Sequence, residues 1–417
     1  MEPEAVTIAS DFLGTMTTLI LTGVLAAKLA HWVKIPDVVL FLLAGMGIGP
    51  SMLKLVNLPA DSVASQIILI FGSALILFDG GLSLDFQVLK KVWRTIVLLA
   101  TLGVVVTTLI TGLAARFLLG LPVLPALLLA AVIASTDPAT LVPIFQQIKI
   151  RERVAQTVLS ESAFNDATGA ILTFSLLGAL TTGAFSPGKS ILMFLGMAGG
   201  GLLAGIVIGL LVAYLVAHHK VGILGPYSAV MVVLAVLAAY LTAGRIGGSG
   251  YMAVFVTGII LGNLPTFKLE HRDAYATEQH YVLINLSLVM RMLIFILLGT
   301  QVNFTVIGKY WLAGLLVIAV FMLVARPATV LVSALPDRVA RWEKNELFFM
   351  FWTRETGVIP AALSGILIGM GAPHADVIAA LTFIAILATL LIQAGTTGLV
   401  ARKLGLLLEG AKTGGGR

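Results

Sequence analysis

The polar segment 161–166 lies inside the hydrophobic run 155–180 and contains Glu161, Ser162, Asn165 and Asp166. On a helix, Ser162 and Asp166 are four residues apart and share one face, whereas Glu161 and Asn165 share the adjacent face. A carboxylate and a hydroxyl on one face offer the oxygen ligands that small, hard cations prefer. Because a buried carboxylate can also bind a proton, the segment predicts a site at which a cation and a proton compete for Asp166.

Two other hydrophobic runs are interrupted near their middles by charge and proline. The interrupting residues are Thr136, Asp137 and Pro138 in run 123–146, and Arg354, Glu355 and Pro360 in run 346–369. Proline removes a backbone donor and clashes with the preceding turn, so both helices are expected to unwind there. Non-helical backbone at membrane depth is tolerated only where it is buried in protein or lines a cavity. The sequence therefore predicts two broken helices around an internal site.

The elements that position these residues follow from composition. Of 417 residues, 59% are hydrophobic and 11% are charged, against about 25% charged in an ordinary soluble domain. The absence of cysteine excludes disulfides and thiolate chemistry. The apolar runs predict an all-α polytopic membrane protein with about 13 transmembrane helices. The predicted spans are 10–30, 37–54, 64–84, 94–118, 123–146, 155–180, 190–217, 225–243, 249–263, 281–301, 308–334, 346–369 and 375–402.

The lysines and arginines give the orientation. With 13 spans, 18 of the 26 lysines and arginines fall in loops on one side of the membrane and five fall on the other side. The remaining three are arginines inside spans. By the positive-inside rule, the N-terminus is expected outside and the C-terminus in the cytoplasm, with 403–417 as a short cytoplasmic tail. The formal charge of +6 then reflects topology and lipid contact, not a nucleic-acid surface.

The two interrupted spans are the fifth and the twelfth, seven spans apart. If spans 1–6 and 8–13 are two six-helix repeats, these spans correspond, and the odd offset makes the repeats inverted. Paired broken helices in inverted repeats indicate a secondary transporter whose site lies at the bilayer midplane.

Charged residues within the spans are candidate functional residues, because a charge at the bilayer centre costs about 2.5 to 3.5 kcal/mol even on insertion scales. Eight such residues are present: Asp79, Asp137, Glu161, Asp166, Arg291, Arg326, Arg354 and Glu355. Arg354 is placed to offset the partial charges of the broken helix ends, and no role is assigned to Arg291.

Together these features resemble the monovalent cation:proton antiporter superfamily, and more closely its electroneutral branch of NhaP-like antiporters and eukaryotic sodium/proton exchangers. The resemblance covers nearly the whole chain. It rests on Thr136-Asp137-Pro138, Asn165-Asp166, Glu161 and Ser162, the segment 78–82, Arg326 and Arg354. Span 12 departs from the family pattern, because Glu355 and Thr356 separate Arg354 from Gly357 where many relatives have Arg followed by Gly.

The resemblance implies roles for individual residues. Asp166 would alternate between cation and proton, and Ser162 and the backbone of Thr136 would help to hold the monovalent cation. Asp137 would lie nearby, and Asp79 stands where relatives often have a glutamate that helps to coordinate the ion. The resemblance further implies that Glu161 and Arg326 form a structural ion pair.

The resemblance also implies a mechanism. A core bundle carrying the crossed half-helices 5 and 12 would move against a dimerisation bundle, both within residues 1–402, in a homodimer in a prokaryotic cell membrane. Na⁺, K⁺ or Li⁺ would exchange for H⁺ with no other cofactor. Because the electrogenic branch has two acids where Asn165 and Asp166 stand, exchange of one proton for one cation is expected.

Two alternatives remain at this point. The same acids could form the selectivity ring of a cation channel, although paired broken helices favour a carrier. An intramembrane hydrolase is less consistent with the sequence, because its six histidines all fall in loops or at span ends.

Overall fold

The structure, a computed structural model, describes residues 4–33, 35–136, 145, 150–183, 187–217, 224–267, 269 and 273–407. These residues form helices and no β-sheet, apart from one isolated antiparallel bridge between Ile150 and Leu407. The prediction of an all-α fold is confirmed for this part of the chain. Asp137 and Lys34 lie outside the described residues.

Fifteen helices are named here in chain order, within the described ranges. They are α1 (Glu4–Val33), α2 (Asp37–Ile48), α3 (Val63–Leu82), α4 (Phe86–Ala100), α5 (Leu102–Leu119), α6 (Val123–Ile133), α7 (Glu152–Thr182), α8 (Pro187–Ala217), α9 (Ser228–Arg245), α10 (Gly250–Gly262), α11 (Asp273–Thr300), α12 (Phe304–Ala334), α13 (Lys344–Trp352), α14 (Val358–Gly369) and α15 (Ala375–Lys403).

Among the described residues, nine helical stretches are long and apolar enough to cross a bilayer. Four shorter apolar helices, α2, α6, α10 and α14, accompany them. Large apolar side chains one or two turns apart are exposed along the outside of the bundle, for example Leu203, Val207 and Leu211 on α8. Apolar stripes of this length would be unusual on a soluble monomer, and they are the surface expected to face lipid.

Several helices are shorter or less regular than the apolar runs indicate. Predicted span 37–54 is helical only to Ile48, because Pro50 disfavours the helical conformation at Gly49. Predicted span 94–118 is interrupted at Thr101 (φ −114°, ψ −76°), where the backbone N–H and the hydroxyl both donate to the Val97 carbonyl, at 3.0 and 2.6 Å. α12 and α15 contain π-helical turns over Phe321–Ala325 and Thr389–Ala394.

Glycines permit two very close helix crossings. Where α2 crosses α11, a Cβ on Gly45 would collide with the carbonyl oxygen of Ile296, and a Cβ on Gly299 would collide with that of Leu42. Each glycine therefore packs against the carbonyl three residues before the other glycine. Small residues that allow such approach are the usual means of close helix packing in membranes.

The crossing of α3 and α10 repeats this pattern. A Cβ on Gly81 would collide with the carbonyl oxygen of Phe255, and a Cβ on Gly258 would collide with that of Phe78. The partner carbonyl is again three residues before the other glycine. The two crossings thus use the same register.

The ends of the interrupted helices meet near the middle of α7. α6 packs against α7, and α14 contacts both α6 and α7. At the start of α7, Arg153 donates to Glu346 from Nε at 2.7 Å, and Arg151 contacts Glu343 at 2.7 Å. These ion pairs tie the beginning of α7 to the beginning of α13, so these two helices are fixed to each other.

Candidate functional site

Thr136 connects the end of α6 to the middle of α7. Its backbone N–H donates to Oδ1 of Asn165 at 3.0 Å, and Nδ2 of Asn165 donates back to the Thr136 hydroxyl at 2.9 Å. That hydroxyl in turn donates to Oγ of Ser162 at 2.8 Å. The amide of Asn165 thus satisfies two polar groups at the unwound end of α6, where the helix ladder no longer does.

Asp166 follows Asn165 on α7 and is buried, with 5% of its surface exposed. Ser162, one turn earlier, is 1% exposed. The structure therefore brings Thr136, Ser162 and Asn165 into one hydrogen-bonded group with Asp166 beside it in the chain. Asp137, the other acid predicted here, lies outside the described residues.

Glu161 and Arg326 form a buried ion pair between α7 and α12. Nη1 and Nη2 of Arg326 donate to the two carboxylate oxygens of Glu161 at 2.5 and 2.9 Å. Such a two-point contact matches the planar guanidinium to the carboxylate. The side chains are 0% and 2% exposed, so water does not screen the pair.

Arg326 also binds the C-terminal end of α13. Its Nε donates to the Met350 carbonyl at 2.7 Å, and Nη2 donates to the Thr353 carbonyl at 3.1 Å. These carbonyls lie where the helix ladder of the twelfth span stops. A cation there satisfies carbonyls that would lack a helical partner and meets the negative end of the helix dipole.

Arg354 connects the two interruptions. It lies in the non-helical segment between α13 and α14, and its Nη2 donates to the carbonyl of Ala134, the C-cap residue of α6. The guanidinium also stacks over the Phe321 ring, 4.9 Å from its centroid. A side chain from the break in the twelfth span thereby donates a hydrogen bond to a carbonyl at the break in the fifth span.

The interruption of the twelfth span has a hydrogen bond like that of the fifth. The backbone N–H of Thr356 donates to Oγ1 of Thr389 on α15 at 3.1 Å. In both cases a side-chain oxygen of the next long helix accepts from the unwound backbone, with Asn165 in the first case and Thr389 in the second. Glu355, immediately before Thr356, is fully buried.

Asp79 lies with a different set of charges. It is near the end of α3 and interacts electrostatically with His280 and Arg291, both on α11. Nη2 of Arg291 is also 3.4 Å from Oδ2 of Asp37 at the start of α2. Arg291 therefore interacts with two acids. Among the residues that the structure describes, the interactions of Asp79 are with α11 and not with Thr136 or Ser162.

Sequence analysis missed two of these contacts. Asp37 was not singled out, although an arginine inside an apolar span needs an acidic partner and Asp37 stands at a span end. The contact of Arg354 with the Ala134 carbonyl has no signal in the residue types, because every residue has a carbonyl. Only the crossing of the two broken helices selects this one.

The chemistry of the group around Thr136 is that of an oxygen-lined pocket with one acid. Hydroxyl, amide and carboxylate oxygens are hard ligands, and the described members of the group contain neither sulfur nor imidazole. Their burial removes most competing water. The arrangement can bind a small cation at Asp166, or a proton in its place.

Comparison with known proteins identifies similar chains. The profile of the transmembrane sodium/hydrogen exchanger family matches residues 16–403. A probable Na⁺/H⁺ antiporter 2 of Methanocaldococcus jannaschii is 32% identical over 366 residues, covering 85% of this chain and 83% of the relative. The K⁺/H⁺ antiporter NhaP of Alkalimonas amylolytica is 30% identical over 393 residues, covering 93% and 66% of the two chains.

A solved structure is similar over nearly the same length. It is that of the sodium proton antiporter MjNhaP1 from Methanocaldococcus jannaschii, which aligns with a TM-score of 0.83 at 29% identity. The alignment covers 96% of this chain and 99% of the other. The helices around Thr136 and Asp166 therefore belong to an architecture shared from end to end with that structure.

Proposed function

Because the chain belongs to the transmembrane sodium/hydrogen exchanger family, we propose that it exchanges a monovalent cation for a proton at a site centred on Asp166. Its relatives are membrane transporters and not enzymes, so the intramembrane hydrolase is no longer a candidate. The observation that carries the proposal is the hydrogen-bonded group of Thr136, Ser162 and Asn165 next to this buried acid.

Asp166 supplies the charge of the site. With the carboxylate ionised, a cation would bind to Asp166 with Ser162 and the backbone of Thr136 as neutral oxygen ligands. With the carboxyl protonated, the cation would lose its only charged ligand among these residues and leave. Asn165 fixes the end of α6 against α7, so its amide orients Thr136. Asp137 and Asp79 are proposed as further acids of the site because the family resemblance implies these roles.

The exchange is proposed to be electroneutral. Asn165 carries no titrating proton, so Asp166 is the group at this pair that changes charge. In each direction the carrier then holds one positive charge, either the cation or the proton. The two half-cycles balance in charge provided that Asp137 and Asp79 keep their protonation states.

Two inverted six-helix repeats within 13 spans would explain the internal likeness of the chain. The crossing of α2 with α11 has the glycine register of the crossing of α10 with α3, as expected if α2 corresponds to α10 and α3 to α11. The backbone hydrogen bond from Thr356 to Thr389 likewise corresponds to the one from Thr136 to Asn165. These parallels support spans 5 and 12 as equivalent broken helices.

We propose that the protein works by alternating access, and the way in which these helices are joined supports this proposal. Ion pairs and hydrogen bonds connect α6, α7, α12 and α13, which would move together as the core bundle and expose Asp166 to either side. The dimerisation bundle of a homodimer would remain in place. Both bundles would lie within residues 1–402, with 403–417 as the tail.

The protein is proposed to lie in a prokaryotic cell membrane with its N-terminus outside and its C-terminus in the cytoplasm. The support is the distribution of Lys and Arg residues over the predicted loops. This orientation puts the start of α7 and the start of α13 on the cytoplasmic side.

Na⁺ is the first candidate for the cation, with K⁺ and Li⁺ as alternatives. Relatives at similar identity are named for Na⁺/H⁺ and for K⁺/H⁺ exchange. A single oxygen-lined site can accept each of these ions with small changes in size and ligand number.

The direct test is proton release from purified protein in weak buffer on addition of NaCl, KCl, LiCl or choline chloride. The proposal predicts saturable release with at least one alkali cation and none with choline. Equal responses to all four salts would contradict it. A cation channel would instead show flux that neither saturates nor requires counter-transport of protons.

A further inference from the structure

Ser135 lies between Ala134 and Thr136 at the unwound end of α6. Its side chain is fully buried, and its hydroxyl forms no hydrogen bond with any residue that the structure describes. A buried hydroxyl in a helical chain usually donates to a carbonyl one turn earlier, as Thr397 does to Gln393 at 2.8 Å. Because a buried polar group without a partner costs stability, the Ser135 hydroxyl needs an explanation, such as a bound ion or water molecule.

Two contacts place Ser135 beside Asp166. The next residue, Thr136, donates from its hydroxyl to Ser162, which is one turn before Asp166 on α7. Ser135 itself packs against Gly169, since a Cβ on Gly169 would lie 3.2 Å from Cβ and 3.6 Å from Oγ of Ser135. Gly169 is three residues after Asp166, and residues at this spacing are neighbours on one helix face. The Ser135 hydroxyl therefore faces the turn of α7 that begins with Asp166.

The other neutral side-chain oxygens of the site already take part in hydrogen bonds. Oδ1 of Asn165 accepts from the Thr136 backbone, and the Thr136 hydroxyl accepts from Asn165 and donates to Ser162. The Ser135 oxygen, in contrast, has both of its lone pairs available. Hard cations are held by several oxygens at once, so a site with one carboxylate and two neutral ligands would gain from a further oxygen.

We propose that the hydroxyl of Ser135 is a further ligand of the transported cation. This inference rests on the proposed function, since it adds an oxygen to that same site. Ser135 would contact the ion from the side of Gly169, whereas Ser162 contacts it from the turn of α7 before Asp166. The hydroxyl is then left unpaired within the chain because its partner is the ion.

Ser135→Ala removes this oxygen without breaking a hydrogen bond among the described residues. The loss of one neutral ligand should weaken cation binding roughly threefold to tenfold, as the loss of a neutral hydrogen bond does. The apparent KM for the cation should rise by this factor at a fixed alkaline pH, and the maximal rate should change less than KM. Without cation, the variant should melt at or above the wild-type temperature, because a buried hydroxyl without a partner has been removed.

The experiment measures cation-driven proton flux in proteoliposomes and, separately, the cation concentration that gives half of the thermal stabilisation in detergent. Ser333→Ala is the matched control. Ser333 is also fully buried and its hydroxyl also lacks a partner among the described residues, but it lies on α12 against Gly103 of α5. Ser333→Ala should leave both cation dependences at their wild-type values, whereas Ser135→Ala should shift both by the same factor.

Three results would overturn the inference. The first is a wild-type KM and a wild-type half-stabilising concentration in Ser135→Ala, which would leave a water molecule as the partner of the hydroxyl. The second is a cation-free Ser135→Ala protein that melts well below wild type, because the hydroxyl would then hold the fold together. The third is an equal shift in Ser333→Ala. If wild type itself showed no saturable cation-driven flux, the proposed function would fail instead.

Discussion

The guanidinium of Arg326 donates hydrogen bonds to both carboxylate oxygens of Glu161, and the same guanidinium holds two carbonyls at the end of α13. One side chain of α12 therefore joins α7 to the broken twelfth span. Removing either partner leaves a buried charge without its counter-charge, but only the loss of Arg326 also strips the carbonyls of Met350 and Thr353.

The ion pair predicts an order of stability among variants. Glu161→Gln and Arg326→Gln should each lose about 3 to 5 kcal/mol, and Arg326→Gln should lose more. The double variant should recover part of the loss, because it buries no unpaired charge. Thermal melting in detergent measures this order. Two single variants that melt like wild type would show that the pair has no structural role.

The two close helix crossings predict that replacing a glycine by alanine lowers stability to a similar extent in both halves of the chain. Gly45→Ala and Gly258→Ala should each lose about 1 to 3 kcal/mol, because the new Cβ meets a backbone carbonyl that cannot move aside easily. Gly47→Ala on the same helix as Gly45 is the control, since a Cβ there has nothing within 4 Å. Equal melting temperatures for Gly45→Ala and Gly47→Ala would contradict the close crossing.

Asp337, in the loop between α12 and α13, is expected to make the folded protein less stable at acidic pH. Burial alone would raise the pKa of Asp337, but a hydrogen bond from Thr95 at 2.7 Å and two from the backbone of Val339 and Ala340 outweigh burial and lower this pKa. The folded pKa is then below the unfolded value of about 4. The carboxylate therefore stabilises the fold above pH 4, and this contribution is lost as the pH falls through the folded pKa.

Asp337→Asn tests that sign. The variant should melt below wild type at pH 7. The difference should begin to shrink below about pH 4, where the carboxyl of the unfolded chain takes up a proton, and it should stop shrinking once the pH is below the folded pKa. Melting curves between pH 3 and pH 7 measure the difference. A difference that is constant over this range would show that the ionised form is not what Thr95 and the loop backbone stabilise.

Much of the fold was predictable because an apolar run that crosses a bilayer must satisfy its own backbone hydrogen bonds, and a helix does so. The length of the apolar runs predicted the long helices, and Arg354 and Glu355 lie in the non-helical segment before α14. The end of α2 at Ile48 and the interruption at Thr101 were missed, because each depends on the backbone conformation of one residue within an apolar run. For the site, the residue types indicated Asp166 and Ser162, but not that Thr136 pairs with Asn165.

The partners of two arginines were beyond sequence reasoning for a different reason. The charge of Arg354 predicted that this residue lies at a broken helix end. The acceptor of its hydrogen bond, however, is the Ala134 carbonyl, which belongs to another span. The partner of Arg291, at 3.4 Å on Asp37, depends on how α11 packs against α2. Tertiary packing decides both, and one sequence without its fold does not contain that geometry.

Position 165 carries an asparagine and not a second acid. The rate of cation/proton exchange is therefore expected to be independent of the membrane potential. In proteoliposomes with a pH gradient, the exchange rate should not follow a membrane potential imposed with potassium and valinomycin, when a cation other than potassium is transported. A steady-state current on a supported membrane, or a rate that tracks the voltage, would mean that more than one proton moves for each cation.

Cation-driven proton flux in proteoliposomes containing purified Asp166→Asn tests the central claim most directly. The amide matches the carboxyl in size but does not titrate, so the variant should remain folded, with a melting temperature close to that of wild type. The account predicts flux no greater than that of empty liposomes at every cation concentration. Flux equal to that of wild type would contradict the assignment of Asp166 as the exchange site.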